Sequence, residues 1–198
     1  MTGTAARQQK QRASRASDEQ LVKACLKGDA DAWAALIDRY KNLIYSIPVK
    51  FGMHQDAADI FQATCMDLMS ELPNLREHRA LPKWLIQTCY HKCVHQRRTA
   101  GRFVEFDPEH TEKPPDDGDA PLPEQMLVQL EKEQLLRQAI AAMPERCERM
   151  IRMLFYEMPP RPYDEVAKEL GLATGSIGFI RGRCLAQLRK QLEKAGFR

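Results

Sequence analysis

Four side chains near the end of the chain are of types that contact nucleic acid, and they recur at helical spacing. They are Ser176, Phe179, Arg183 and Lys190. Arginine reaches guanine or phosphate, serine reaches either kind of group, and phenylalanine packs on a thymine methyl. At about 100° per residue they lie opposite an apolar set: Ile177, Ile180, Cys184, Leu188 and Leu192. The pattern predicts a recognition helix that presents Arg183 to base edges and Lys190, farther along, to phosphate.

The same stretch contains three glycines, each of which costs about 1 kcal/mol relative to alanine inside a helix. They are Gly175, Gly178 and Gly182, and we interpret them as clearance for close approach to DNA. Thr174, just before the helix, is also predicted to contact DNA. Arg181 lies at the edge of the inner face, so an ion pair competes with its DNA contact. The acids in reach are Asp164, Glu165 and Glu169.

A second surface is predicted on a helix that starts at Pro82 and runs to about Arg98. Its inner side holds Trp84, Leu85, Thr88 and Cys89, and its outer side holds Gln87, Tyr90, His91, Val94, Arg97 and Arg98. The outer side combines stacking surface with positive charge, a mixture that grips unpaired nucleic-acid strands. We therefore expect single-stranded DNA to bind there.

The segment CYHKCVH, from Cys89 to His95, raises the alternative of a zinc site. On one helix the cysteine pair and the histidine pair lie more than 100° apart, so the four ligands cannot converge on one tetrahedral ion, although a two-residue half-site stays open. No phosphate-binding glycine loop, nucleophile elbow or carboxylate pair is apparent. We expect neither an enzyme nor a bound metal or other cofactor.

Charge is distributed unevenly along the 198 residues, although the net charge is only +3. Residues 1–17 carry basic side chains and no acid, which is typical of a disordered tail. Between Glu105 and Asp119 lie seven acids, one lysine and several prolines, and we interpret residues 101–123 as a flexible acidic linker. From Arg181 onward the only acid is Glu193.

The chain has six cysteines and no CxxC pair, and it has no apolar run long enough for a membrane span or a secretory signal. These features predict a cytoplasmic protein without membrane insertion. In that reducing compartment the cysteines are expected to be small buried apolar residues rather than a disulfide framework.

Apolar periodicity predicts helices throughout and no strand. Ser17 with Gln20 forms a capping box, Asp29 caps the next helix, and Pro48 is expected to bend or end it. In the second half, helices are predicted over 124–143, 145–156 and 163–170, where Tyr163 is expected to be buried. Gly171 then leads into the basic helix, which makes a helix-turn-helix. The fold class is all-α, with two small helical domains at 18–100 and 124–198.

Three N-terminal segments, DADAWAALIDRY, AADIFQATCMDLM and LPKWLIQTCYHKCVHQRR, and the C-terminal YDEVAKELGLATGSIGFIRGRCLAQLR together resemble a known family. They are similar, in order and spacing, to bacterial RNA polymerase sigma factors of the extracytoplasmic-function group of the sigma-70 family. The resemblance implies that the first domain is sigma region 2, which binds the beta-prime clamp helices and melts the minus-ten element. It implies that the second is sigma region 4, which binds the minus-thirty-five element and the beta flap.

Further residue roles follow from the resemblance. Asp59 and Gln62 match the family's polymerase-binding aspartate and glutamine. The loop from Pro73 to Ala80 matches the segment that holds a flipped minus-ten base, and Asn74, Arg76 and His78 are its candidate contacts. An anti-sigma factor is a common partner in this family.

The sequence departs from the family's pattern at positions that read DNA. His91 and His95 stand where asparagine and aspartate are frequent, and Gly178 and Phe179 replace a common lysine and serine. The promoter preference of the family therefore cannot be transferred to this chain. The alternative is a stand-alone helix-turn-helix repressor or activator whose N-terminal block is a sensor. A repressor binds duplex DNA unaided, whereas a sigma factor needs core polymerase.

Overall fold

The computed structural model describes residues 16–75, 77, 80–103 and 122–197. This part of the chain contains eight α-helices and no strand, which confirms the all-α prediction. The helices are α1 (Asp18–Cys25), α2 (Ala30–Lys50), α3 (Ala57–Glu71), α4 (Leu81–Phe103), α5 (Glu124–Ala141), α6 (Glu145–Phe155), α7 (Tyr163–Leu170) and α8 (Ile177–Lys194). Short 3-10 helices follow α3 at Leu72–Asn74 and precede α8 at Thr174–Ser176.

The chain divides into two compact units, unit 1 up to Glu131 and unit 2 from Lys132. The boundary between the units lies inside α5, whereas the second domain was predicted to start at residue 124. The reason is apolar packing, because Leu130 is buried in the core of unit 1 and Met126 and Leu127 pack against it. The predicted basic tail and most of the predicted acidic linker fall outside the described residues.

In unit 1, α2 is the central helix and packs against α1, α3 and α4. On its apolar stripe, Trp33 and Ile37 are half-buried, and five other side chains at helical spacing are completely buried: Leu36, Tyr40, Leu43, Ile44 and Ile47. Each such side chain contributes roughly 1.5–3 kcal/mol when it leaves water. The buried Tyr40 hydroxyl donates to Asp18, 2.6 Å away, so its polar end is satisfied.

The predicted helix starts of unit 1 are confirmed in detail. Ser17 Oγ accepts from the Gln20 backbone at 3.2 Å, and the Gln20 side chain accepts from the Ser17 backbone at 2.9 Å. Asp29 caps α2 by accepting from two backbone amides. Pro48 does not end α2 where it stands, because the helix continues to Lys50.

In unit 2, α6 packs against α7 and α8, and the core consists of two small clusters. One joins Met150, Val166 and Ile177, and the other joins Ile140, Ile151 and Leu188. Helix α7 ends at Gly171, whose φ of 63° is the left-handed conformation that favours glycine. The turn after it leads into α8, so α7 and α8 form the predicted helix-turn-helix.

Two sequence predictions about unit 2 are wrong. Tyr163, expected in the core, is 36% exposed, because it lies at the first position of α7 and its ring extends toward Arg181. A disulfide joins Cys147 and Cys184, whose Cα atoms are 5.4 Å apart, although the sequence predicted none. The two cysteines are 37 residues apart, and only the packing of α6 on α8 brings them together.

Each helix in the described part of the chain is too short or too polar to cross a lipid bilayer.

Candidate nucleic-acid interface

Helix α8 presents a face that the rest of unit 2 leaves exposed, which we call the α8 face: Phe179, Gly182, Arg183, Ala186 and Lys190. Phe179 is 71% exposed, and the Arg183 guanidinium lies over its ring at 5.8 Å from the centroid. The opposite side of the helix packs into the unit 2 core through Ile177, Cys184 and Leu188. The predicted division of α8 into an apolar inner side and a basic outer side is therefore confirmed.

The glycines of this segment have no packing role among the described residues. A Cβ placed on Gly175, Gly178 or Gly182 would meet no atom within 4 Å. None of the three has a positive φ, so the backbone does not require glycine either. Gly178 and Gly182 therefore weaken α8 without making a contact in unit 2 that alanine would prevent.

Three other predicted DNA contacts lie at the start of α8. Thr174 is exposed, and Ser176 is half-buried with its hydroxyl donating to the Ala173 carbonyl at 2.7 Å. Arg181 pairs with none of the acids predicted for it. Its guanidinium instead donates to the Tyr163 hydroxyl and lies over the Tyr163 ring at 5.7 Å. Arg181 is thereby turned toward α7.

An exposed apolar cluster at the end of α6 was not found from the sequence. It consists of Phe155, Tyr156 and Met158, which are 54%, 50% and 88% exposed. The sequence run FYEMPP contains a signal for this cluster. Its large apolar side chains stand at the end of a helix and just before two prolines, so they do not extend the buried side of that helix. They are three of the six large apolar side chains that are exposed in the described part of unit 2.

In unit 1, most of the predicted outer side of α4 is exposed. Gln87, His91, Arg97 and Arg98 lie on the surface, and Arg97 donates to the Phe51 carbonyl at 2.7 Å. We call these four residues the α4 outer face. The expected outward orientation of Tyr90 is wrong. Its side chain is only 9% exposed, because the Phe51 ring at the end of α2 packs against it at 5.4 Å.

A groove of about 520 Å³ runs between α3 and α4. Asp59 and Asp67 line it from α3, and His91 and His95 line it from α4. Lys92 makes an ion pair with Asp67 at 2.7 Å. The groove therefore carries both signs of charge and adjoins the α4 outer face.

Cys89 and Cys93 lie on the buried side of α4, away from the exposed His91 and His95. Their mutual hydrogen bond raises the pKa of the Cys89 thiol and lowers that of the Cys93 thiol. The predicted separation of the cysteine pair from the histidine pair is confirmed. Across the described residues, no three metal-ligating side chains converge on a common point.

The exposed side of α3 carries Asp59, Gln62, Met66 and Met69, which we call the α3 face. Its two methionines are 63% and 61% exposed, and they follow the acid and the amide at helical spacing. Ile60, Thr64 and Leu68 face the core on the other side. Asp59 and Gln62, which match the family's polymerase-binding aspartate and glutamine, are both exposed, whereas the methionines beside them were not singled out from the sequence.

The loop after α3 is described only in part. Asn74 is exposed and donates to a Glu71 carboxylate oxygen at 3.2 Å. Arg76 and His78, the other two predicted contacts of this loop, lie outside the described residues.

Comparison with protein-family models gave no match, and comparison with curated proteins gave none either.

Proposed function

We propose that this protein is a sigma factor that binds core RNA polymerase and directs promoter recognition, DNA melting and transcription initiation at a specific set of genes. Unit 2 reads the upstream promoter element through the α8 face. Unit 1 binds polymerase through the α3 face and holds the melted strand through the α4 outer face. The chain acts in the cytoplasm, carries no catalytic site and uses no cofactor.

The α8 face is the observation that carries this proposal. It is the exposed side of the second helix of a helix-turn-helix, and it combines Arg183, a solvent-exposed Phe179 and glycines without a packing role. A recognition helix enters the major groove with such a side, since bulk near its N-terminal end would keep the backbone away from the bases. Each good base contact adds about 1–3 kcal/mol of discrimination.

The α3 face favours a sigma factor over a stand-alone repressor. An exposed carboxylate and amide suit an arginine-bearing partner helix, because charge-assisted hydrogen bonds to carboxylates are strong. Met66 and Met69 add adaptable apolar area next to these polar groups. A repressor that binds only duplex DNA does not require this combination of an exposed carboxylate, an amide and two methionines.

The exposed cluster of Phe155, Tyr156 and Met158 is assigned to the beta flap. Large exposed apolar groups mark contact sites with other proteins. The cluster lies at the end of α6, whereas the α8 face belongs to another helix of the same unit.

Reconstituted transcription tests the proposal. The full chain is mixed with core RNA polymerase and fragmented genomic DNA, and the transcripts are sequenced. We expect defined start sites that core polymerase alone does not use. Specific duplex binding by the chain without polymerase, together with no start sites in its presence, would overturn the sigma assignment in favour of the repressor.

A further inference from the structure

Cys147 and Cys184 are the one bonded pair among six cysteines, and the other four are free thiols. Cys147 lies in the first turn of α6, and Cys184 lies on the inner side of α8. Their Cα separation of 5.4 Å is within the usual range for a disulfide. Cys184 is 1% exposed, whereas Cys147 is partly exposed.

We propose that Cys147 and Cys184 are a reversible redox pair, whose oxidation ties α8, the second helix of the helix-turn-helix, to α6. The ring closed by the bond contains α7, the turn at Gly171 and the first half of α8. It therefore encloses most of the helix-turn-helix. The four free cysteines all lie in unit 1, so the redox change acts on unit 2 alone.

The surroundings let the pair exist in both states. Ile140, Met143 and Ile151 form the apolar cluster to which Cys184 belongs, and Cys147 packs against it. Two thiols pack well in such a site, because a free cysteine behaves as a small apolar residue. The reduced unit therefore keeps its core and loses only the covalent tie.

The oxidant is a small-molecule disulfide, and the step is thiol–disulfide exchange. The Cys147 thiolate attacks this disulfide, forms a mixed disulfide and releases one small thiol. The Cys184 thiolate then attacks the Cys147 sulfur, forms the protein disulfide and releases the second small thiol. Two protein thiols are oxidised and one small disulfide is reduced to two thiols. A dithiol reverses both steps, and its accessible target is the Cys147 sulfur.

The bond restrains the unfolded and locally opened states of the ring, so it favours α8 packed on α6. If the proposed function holds, the oxidised chain also keeps the α8 face in its DNA-reading position for a larger fraction of the time. This second consequence rests on the proposed function, whereas the redox pair itself does not.

Thiol counting tests the pair. The full chain is equilibrated with oxidised glutathione or with reduced dithiothreitol, denatured, alkylated and weighed. We expect four reactive thiols in the oxidised protein and six in the reduced protein. C147A and C147S should each show five, one fewer than six, in both buffers. C65S is the matched control and should still lose two thiols on oxidation. Six thiols in both buffers, or a bond that survives in C147A, would overturn the proposal.

Hydrogen–deuterium exchange of the wild-type chain tests the restraint. Oxidation should slow exchange in α6 and α8 about tenfold or more and leave α2 unchanged. Equal exchange in the two states would refute the tie between the helices. Slower exchange without any redox effect on promoter binding by the holoenzyme would leave the pair intact and count against the proposed role of α8.

Discussion

At the scale of the residue, Arg183 is the side chain to which base reading is assigned, and Lys190 is assigned to phosphate. The Arg183 guanidinium lies over the Phe179 ring, which holds it on the exposed side of α8. Lys190 is exposed three turns of helix beyond the start of the face. Changing Arg183 should therefore affect promoter selectivity, and changing Lys190 should affect the affinity for DNA of any sequence.

We expect Arg183→Ala to weaken holoenzyme binding to the preferred promoter about 5- to 100-fold and to leave scrambled upstream sequences nearly unaffected. Lys190→Ala is the matched control, and its smaller loss should be similar on both DNAs and decrease at high salt. Filter binding at several salt concentrations measures both. Equal losses for Arg183→Ala on preferred and scrambled promoters would remove its base-reading role.

The α3 face makes a second prediction at the residue scale. Replacing Asp59 and Gln62 together by alanine should weaken binding to core polymerase about tenfold or more, because buried charge-assisted contacts dominate interfaces. Gln55→Ala, which changes an exposed amide just before α3, is the control and should bind normally. Helical circular dichroism of the double variant should match the parent. Unimpaired holoenzyme assembly would contradict the assignment.

Burial also sets the reactivity of Cys25. Burial, with a smaller effect of nearby Asp29, raises the pKa of this thiol to about 11. Thiolate is therefore scarce at pH 8 and should become abundant only as the pH approaches 11. We expect native alkylation of Cys25 at pH 8 to be at least tenfold slower than in the denatured chain. Equal rates, measured by peptide mass spectrometry, would show that the site is open.

At the scale of the element, most helices follow from the sequence and several contacts between them do not. The capping box at Ser17, the cap at Asp29 and the helix end at Gly171 depend on local residue types, so they could be read directly. The apolar stripes of α2 and α8 depend on the helical period and were equally predictable. Local signals therefore predicted these helix starts, this helix end and the buried sides of α2 and α8.

The misses have a common physical cause, which is packing between residues far apart in the chain. Tyr90 was expected outside, but Phe51, from the end of another helix, covers it. Tyr163 was expected inside, but Arg181 of α8 holds it at the surface. Neither neighbour is visible from the period of the helix itself. The helical period gives the direction in which a side chain points. Whether a residue at the edge of a helix face is buried depends on its tertiary contacts.

The glycines of α8 give an element-scale prediction. Gly178→Ala with Gly182→Ala should raise the free energy of unfolding of unit 2 by about 1–2 kcal/mol, because the added methyl groups meet open space. The same variant should bind promoter DNA more weakly, because the methyl group at position 182 lies on the α8 face and the one at position 178 lies next to Phe179 in the first turn of the helix. Thermal unfolding and holoenzyme binding measure the two effects.

Gly101→Ala is the matched control, since this glycine also lies in a helix and also faces open space. It should stabilise unit 1 without weakening the upstream contact. An α8 variant that is more stable and binds normally would show that the glycines are not clearance for DNA.

At the scale of the whole molecule, the described residues form two units with separate cores. Unit 1 has one large cluster, whereas unit 2 has two small ones and a covalent tie between α6 and α8. Smaller cores stabilise less, because they remove less apolar surface from water. Unit 2 should therefore depend more on each of its contacts than unit 1 does.

Both tryptophans of the chain, Trp33 and Trp84, pack against the core cluster of unit 1. Their fluorescence emission is consequently an optical signal of unit 1 alone, whereas unit 2 is spectroscopically silent at tryptophan wavelengths. Introducing a single tryptophan into unit 2 would add a fluorescence signal from the second half, and comparison of the melting curves of the parent and the variant would then show the order in which the halves unfold.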